Sequence, residues 1–352
     1  MKILKIKAQN HTYPVWIDDQ KILRNLKPHL EKYIPNKRAL FFMSKNLEKF
    51  YGPRIRGQFD SSWNIKHIAW EDTEKNKAFS HIEPLCKKLL SLGVDRYTTL
   101  IGVGGGVVGD MAAFLASIYM RGLNYIALPT TLISQTDSSI GGKCGVNLAD
   151  GKNLIGSFYH PRAVFIDTSF LKTLPQEHYQ SGLAEVIKYA FIDSASNLYG
   201  LLQKNKRSVL ARTPDILKKI VFYALKTKKQ FIEKDERDHS VRQLLNFGHT
   251  YGHALETLDQ YASITHGSAI AQGMYIATAL SLKEKICSPE TATKVKMLLK
   301  EYGFEEEKTN PNALKNILND KKRNGENLNW ILLEDIGQAK IHSLNVRATN
   351  RP

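Results

Sequence analysis

The sequence predicts an α/β domain over residues 1–175 followed by a mostly α-helical domain over residues 176–352. Three observations carry that reading. Short runs rich in β-branched and aromatic residues, "ALFFMS", "NIKHIAW", "TTLIGVG", "NYIALP" and "AVFID", alternate with helix-like segments in the first half. That is the pattern of a largely parallel sheet with helices on its faces. After "LKTLP" at residues 171–175 the period changes, and residues from about 177 to 320 are mostly helix-period, as in "GLAEVIKYAFI" and "GSAIAQGMYIATALSLKEKI". A closing "LNWILLEDIGQAKIHSL" reads as two strands around a turn. No repeat or low-complexity linker separates the halves, so the boundary rests on period alone.

Composition narrows the class. A chain of 352 residues, 42% hydrophobic and 24% charged, is an ordinary globular protein with room for two cores. No apolar run approaches the roughly 18 to 20 residues of a membrane span. The N-terminal "MKILKIKAQNHTYPVWID" alternates apolar and polar residues like a strand and lacks the apolar block of a signal peptide. Cys86, Cys144 and Cys287 are widely spaced and odd in number, which argues against a disulfide framework or a cysteine metal site. The expected compartment is the cytoplasm, with no membrane partner. The formal charge of +16 raises the question of nucleic acid, but the lysines are scattered over segments such as "LKKIVFYALKTKKQFIEKDER" with no basic stripe. A basic surface that concentrates an anionic small molecule fits better, and no nucleic-acid partner is expected.

In "TTLIGVGGGVVGDMAAF" a strand leads into Gly102, Gly104, Gly105, Gly106 and Gly109 and then an apolar helix. Glycines admit a phosphate close to the backbone, and the helix N-terminus offers free N–H groups. A lone glycine cluster would read equally as a tight strand-to-helix turn. The strand–loop–helix setting favours pyrophosphate, and the first domain reads as Rossmann-like and nucleotide-binding. The acidic residue usual about 20 positions on is missing, since that region is "YIALPTTL". The loop also follows earlier strands, so other strand ends would hold the adenosine half of a dinucleotide.

The run "TTLISQTDSSIGGKCGVNLADGKNLIGSFYHP" carries Lys143 and Lys152 in two Gly-Lys steps, with Asp137, Asn147 and Asn153. It reads equally as a loop around a ligand and as a long surface loop. In "SGLAEVIKYAF", Glu185 and Lys188 are three apart and share a helix face, with apolar neighbours that limit their solvation. "NFGHTYGHALE" places His249 and His253 four apart with Glu256 just beyond, and "ITHGSAIAQGM" adds His266. Taken singly, each histidine is more simply a core or cap residue. Together with Glu185 they can form a Glu/His/His set, and three protein ligands leave a coordination position open, the catalytic pattern for zinc. The second domain is therefore read as metal-binding. Spacing leaves open whether His253 binds the metal beside His249 or carries protons.

As a set, "GVGGGVVGD", "PTTLISQTDSSIGGKCGVN", "GKNLIG", "GLAEVIKY", "LLNFGHTYGHALE" and "HGSAIAQGM" resemble the 3-dehydroquinate synthase family, within the sugar-phosphate cyclase superfamily. The match is collinear from about residue 100 to 275, with weaker echoes at "EDTEKNK" and "DKKRNGENLNWILLEDIG". The resemblance implies a dehydroquinate synthase-like fold, with an NAD-binding α/β domain, a helical metal domain and usually a homodimer. It implies conversion of 3-deoxy-D-arabino-heptulosonate 7-phosphate to 3-dehydroquinate and phosphate in the shikimate pathway. NAD takes a hydride, phosphate is eliminated, the hydride returns, and an intramolecular aldol closes the ring. The resemblance further implies Glu185, His249 and His266 as ligands of zinc, or of cobalt in its place. Arg121, Asp137, Lys143, Asn153, Lys188, Lys228, Arg242, Asn246 and Lys322, or its neighbour Lys321, would bind substrate, Arg121 by reaching into the partner subunit's site. Glu74, Lys77, Gly105, Gly106, Val107, Asp110, Thr130, Thr131, Lys152 and Thr173 would contact NAD. His253 would carry protons, with Lys188 and Asp238 beside it in catalysis.

Three positions depart from the family pattern. Ser268 stands where His-Gly-Glu is usual, removing a carboxylate beside a ligand; Asp238 replaces a glutamate four before the arginine; Ser44 replaces an aspartate in the first nucleotide strand. None removes a metal ligand, but changes around a ligand typically cost about 10- to 100-fold in affinity or rate. The alternatives are another sugar-phosphate cyclase, a metal-dependent polyol dehydrogenase of glycerol type, and a basic binding protein on a decayed enzyme fold.

Overall fold

The computed structural model describes residues 1–259, 263–319 and 327–345. The chain divides into two compact units, Met1–Thr173 and Leu174–Pro352. Among the described residues no helix is long and apolar enough to cross a membrane.

The first unit runs β1 (Lys2–Lys7), β2 (Thr12–Asp18), α1 (Lys21–Arg24), α2 (Leu26–Glu31), β3 (Arg38–Ser44), α3 (Lys45–Arg56), β4 (Asn64–Trp70), α4 (Ile82–Ser91), β5 (Thr99–Gly104), α5 (Gly106–Ile118), β6 (Tyr125–Pro129), β7 (Lys143–Leu148), β8 (Gly151–Phe158) and β9 (Ala163–Asp167). The five expected strand runs form β3, β4, β5, β6 and β9. The N-terminal stretch, expected as one strand, folds back as antiparallel β1 and β2, with Lys2 opposite Ile17. The seven strands lie in the order β1-β2-β9-β6-β5-β3-β4, parallel except for β1. Every residue of β5 is buried, as a parallel strand covered on both faces requires. Alternate residues Ala39, Phe41 and Met43 of β3 join Ile101, Ile126 and Phe165 in one core.

The strand order also locates a crevice. From β3 the chain passes outward to β4, whereas from β5 it passes the other way through β6 to β9. The connections therefore part at the carboxyl ends of β3 and β5, the usual ligand crevice of an open α/β sheet. The glycine loop lies there. A Cβ on Gly104 would meet the Val108 side chain at 2.5 Å, so glycine is what lets α5 start this close to its strand.

The polar run after β6 corrects the sequence reading. It is a π-helical turn, Ser134–Ser138, followed by an antiparallel hairpin of β7 and β8, not a long loop. Glycine and amide residues dilute the alternation that marks a strand. Gly145 faces Gly156 across the hairpin, where a Cβ on Gly156 would come within 2.4 Å of the Cys144 carbonyl oxygen.

The second unit contains α6 (Gln176–Ile192), α7 (Leu198–Leu210), α8 (Pro214–Lys234), α9 (His249–Leu258), α10 (His266–Lys283), α11 (Pro289–Glu301) and α12 (Pro311–Asn319), closed by antiparallel β10 (Asn327–Asp335) and β11 (Gln338–Asn345). Its start signals are legible in sequence. Pro214 and Pro289 open α8 and α11, and the Thr265 and Ser288 side chains cap α10 and α11. The α6 helix is buried on nearly all sides from Ser181 to Ile192. Glycine lets other helices press close. A Cβ on Gly267 of α10 would sit 2.2 Å from the Ser181 oxygen of α6, and one on Gly273 would sit 1.7 Å from the Gly248 oxygen.

Two glycine substitutions are expected to move stability in opposite directions. Gly273→Ala forces α10 away from residue 248 and should cost about 1–3 kcal/mol or more, the scale of core overpacking. Gly109→Ala, in a helix with nothing within 4 Å of the new Cβ, should stabilise by about 0.5–1 kcal/mol. Urea unfolding midpoints of the two variants check both signs.

Candidate active site

Glu185 and Lys188 lie one helical turn apart on α6, 0% and 2% exposed, with Lys188 Nζ 2.5 Å from Glu185 Oε2. The other carboxylate oxygen, Oε1, faces two imidazoles, with His249 Nε2 at 3.4 Å and His266 Nε2 at 3.0 Å. The Gly267 and Gly273 contacts bring the start of α10 this close to α6 and α9. Burial by itself would raise the Glu185 pKa, but Lys188 and His249 hold it well below the usual carboxylate range. Burial and then the Lys188 charge lower His249. For His266 burial also works downward, yet hydrogen bonds to Glu185 and Glu256 outweigh it and raise the group to about 10. Donor atoms of Glu185, His249 and His266 all lie within 4.8 Å of one another. One anionic oxygen faced by two imidazole nitrogens is the donor set of a divalent cation site, so the residues fit a metal. His253 lies one turn along α9, exposed, its ring centroid 5.2 Å from that of His249 and 6.4 Å from that of His266.

In the α/β unit the nucleotide candidates other than Thr173 gather around the glycine loop. Lys77 pairs with Asp110 on the first turns of α5 and donates to Asn153 Oδ1 at 2.6 Å. Glu74 accepts from Asn147 Nδ2 at 2.8 Å and lies 3.6 Å from Lys152 Nζ, while the Asn153 N–H donates to Asn147 Oδ1 at 2.9 Å. The segment after β4, the start of α5 and the β7–β8 hairpin thus share one polar network. Val107 is on the first turn of α5, a cleft beside that turn is lined by Gly105, Asp110, Ser138 and Lys143, and Asp137 sits in the π-helical turn. Thr130 and Thr131 follow β6, with the Thr130 N–H bonded to the Gly104 oxygen at 3.0 Å and a Cβ on Gly105 only 3.0 Å from the Thr131 methyl. Thr173 Oγ1 is 2.9 Å from the Tyr51 hydroxyl. Arg121 is exposed and holds a left-handed backbone with φ 63°.

Residues 67–181 match the family model described as 3-dehydroquinate synthase N-terminal, and residues 182–323 match 3-dehydroquinate synthase C-terminal. A 3-dehydroquinate synthase of Dictyoglomus thermophilum is 45% identical over 346 residues, covering 97% of this chain and 94% of its own length. The chain belongs to the 3-dehydroquinate synthase family. A second 3-dehydroquinate synthase, from Clostridium kluyveri, is 38% identical, covering 99% of this chain and 97% of its own. Two solved cyclases share the fold. The 2-deoxy-scyllo-inosose synthase complexed with carbaglucose-6-phosphate, NAD+ and Co2+ has a TM-score of 0.88 at 24% identity, covering 99% of this chain and 98% of its own. The 2-epi-5-epi-valiolone synthase of Streptomyces hygroscopicus, with NAD+ and Zn2+ bound, has a TM-score of 0.86 at 23% identity over 99% and 97%.

The departures from the 3-dehydroquinate synthase pattern take on structural meaning. Ser268 is the third residue of α10; its N–H donates to Thr265 Oγ1 at 3.2 Å and its hydroxyl lies 2.9 Å from the same oxygen. A glutamate at that position would close a capping box, so this departure touches the helix cap, and the carboxylate beside His266 comes instead from Glu256. Ser44, at the end of β3, donates to Asp72 Oδ1 at 2.8 Å, which restores a carboxylate at that strand end from the segment after β4. Asp238 has left-handed backbone, φ 63°. The carboxylate that organises the turn into Arg242 is Asp235, which accepts from the N–H groups of His239, Ser240 and Arg242 at 3.0, 2.7 and 3.1 Å. Arg242 is 3% exposed and donates to the Glu236 carbonyl oxygen at 2.5 Å, Asn246 ends the same short helical segment, and Lys228 is buried on α8. Lys321 and Lys322 lie outside the described residues. Asp72 and Asp235 escaped the sequence reading of the site, and Glu256 was noted beside the histidines without a role, since an acidic residue carries no local signal of its partner.

Burial opposes ionisation of Asp235, but its three backbone donors and Ser240 lower it to about 2. A depressed carboxylate contributes stability that is present above its unfolded value near 3.8 and is lost as pH falls toward 2. Asp235→Ala should therefore cost about 1–3 kcal/mol at pH 7, the penalty of stripping three backbone N–H groups, that of Arg242 buried, of their acceptor. The gap from the parent should narrow as pH drops below 4. Unfolding curves at pH 7 and pH 3 check it.

Proposed function

We propose that this chain is a 3-dehydroquinate synthase, converting 3-deoxy-D-arabino-heptulosonate 7-phosphate to 3-dehydroquinate and phosphate as a carbon–oxygen lyase. The observation that carries the reading is the Glu185–His249–His266 cluster with Lys188 at its back, in a chain whose 45% and 38% identical relatives are 3-dehydroquinate synthases. A divalent ion there, zinc or cobalt, would supply a Lewis acid for a substrate oxygen, and NAD held at the glycine loop would supply reversible hydride chemistry. Glu185, His249 and His266 would hold the ion, and Gly105, Gly106, Val107 and Asp110, at the start of α5, would take the pyrophosphate. Lys77 ties Asp110 to Asn153 and so orients the hairpin that carries Lys143 and Asn153. Lys143, Lys188, Lys228 and Arg242, with Asp137, Asn153 and Asn246, hold the phosphate, carboxylate and hydroxyls of the anionic substrate. His253 is exposed beside the cluster, which suits a group that takes and returns a proton. Arg121 completes the site of a partner subunit in a homodimer, and the enzyme works in the cytoplasm without nucleic acid or membrane.

Phosphate release should proceed with NAD far below the substrate concentration and with no net NADH. Absorbance at the nicotinamide band followed beside phosphate separates the readings, since NADH rising in step with product would mark a polyol dehydrogenase. In variants, His249→Ala should lose metal and activity together. His253→Ala should keep close to one metal per chain and lose roughly 10²- to 10⁴-fold in turnover, the scale of an acid–base group. Metal analysis of both proteins decides it, and a metal-free His253→Ala would make His253 a ligand.

A further inference from the structure

His249 and His266 both turn Nε2 toward Glu185, so the other ring nitrogen of each must be held elsewhere. For His249 the holder is neutral, with Nδ1 3.2 Å from the Phe247 carbonyl oxygen. For His266 it is a carboxylate, with Nδ1 3.3 Å from Glu256 Oε1. Glu256 is 6% exposed and lies seven residues after His249 and three after His253, on the same face of α9. His266 needs such an anchor more than His249 does. It is the first residue of α10 and its side chain is 33% exposed, so its own helix does not fix the ring.

We propose that Glu256 is the positioning residue for the metal ligand His266: it accepts the Nδ1 proton, holds Nε2 toward Glu185, and raises the ring's strength as a ligand for a divalent cation. The proposal rests on the metal-site reading given above. A metal-bound imidazole that donates its second N–H to a carboxylate is a general device for fixing tautomer and orientation. Here the device is supplied across two helices, from the turn of α9 that follows His253. Position 268 plays no part in it, because the Ser268 hydroxyl is engaged with Thr265.

The test is cobalt titration of metal-free protein, read by visible absorption and by competition with a chelator, alongside urea unfolding of each metal-free form. The parent should bind one ion per chain. Glu256→Ala should bind about 10- to 100-fold more weakly, beyond anything its metal-free unfolding midpoint explains. Glu256→Gln, which keeps an oxygen for the Nδ1 proton but no charge, should fall between the two. Ser268→Glu should stay within about twofold of the parent, since it lies outside the arrangement. Cobalt affinity of Glu256→Ala within roughly threefold of the parent overturns the proposal, as does a Glu256→Gln variant no better than alanine. Should the alanine variant fail to fold, Glu256→Gln alone decides, and parental affinity there overturns it. A parent chain that takes up no cobalt overturns the metal-site reading itself, a result distinct from the others.

Discussion

A carboxylate with no exposed surface sits at the centre of the helical unit, and much else is arranged around it. An ion moved out of water loses several kcal/mol of solvation even after the protein relaxes. Glu185 recovers that loss only through close partners of opposite character, Lys188 on one oxygen and two imidazoles on the other. Removing either side of such a set leaves a charge stranded, so the three helices that bring the partners must hold their places. Glycines at 248, 252, 267 and 273 serve that demand, because a methyl group at any of them would strike a neighbouring helix.

The same constraint divides labour among the histidines. His249 and His266 are drawn inward, each with Nε2 on Glu185 and Nδ1 on a separate acceptor. His253 shares a face of α9 with His249 but stays exposed at its rim. Two imidazoles with fixed rings beside one histidine with access to water is an arrangement that can bind a cation and move a proton without asking one group to do both.

The α/β unit follows a different constraint, set by chain connectivity. Its crevice exists because successive crossovers leave β3 and β5 in opposite directions, and the glycine loop occupies one lip of it. On the other lip stands Ser44 with Asp72. The polar network from Glu74 to Asn153 then fastens the β7–β8 hairpin to the start of α5, so residues far apart in sequence share one charged neighbourhood.

By itself the sequence determined the fold class, five of the parallel strands, the helical second half, the glycine loop and the Glu/His/His trio. Each of these is written in local periodicity, or in a spacing of three or four residues that a helix converts directly into proximity. Tertiary structure alone decided the rest. The polar run looked like a loop because a hairpin of glycines and amides is stabilised by its partner strand and not by its own pattern. Glu256 and His266 are ten residues apart on different helices, Ser44 and Asp72 are 28 apart at the end of one strand and beyond the end of another, and Asp235 works through backbone groups that no side-chain pattern displays. Whether a carboxylate stands at a cap, in solvent or against an imidazole is set by what packs over it, and packing over a side chain is a property of the whole chain.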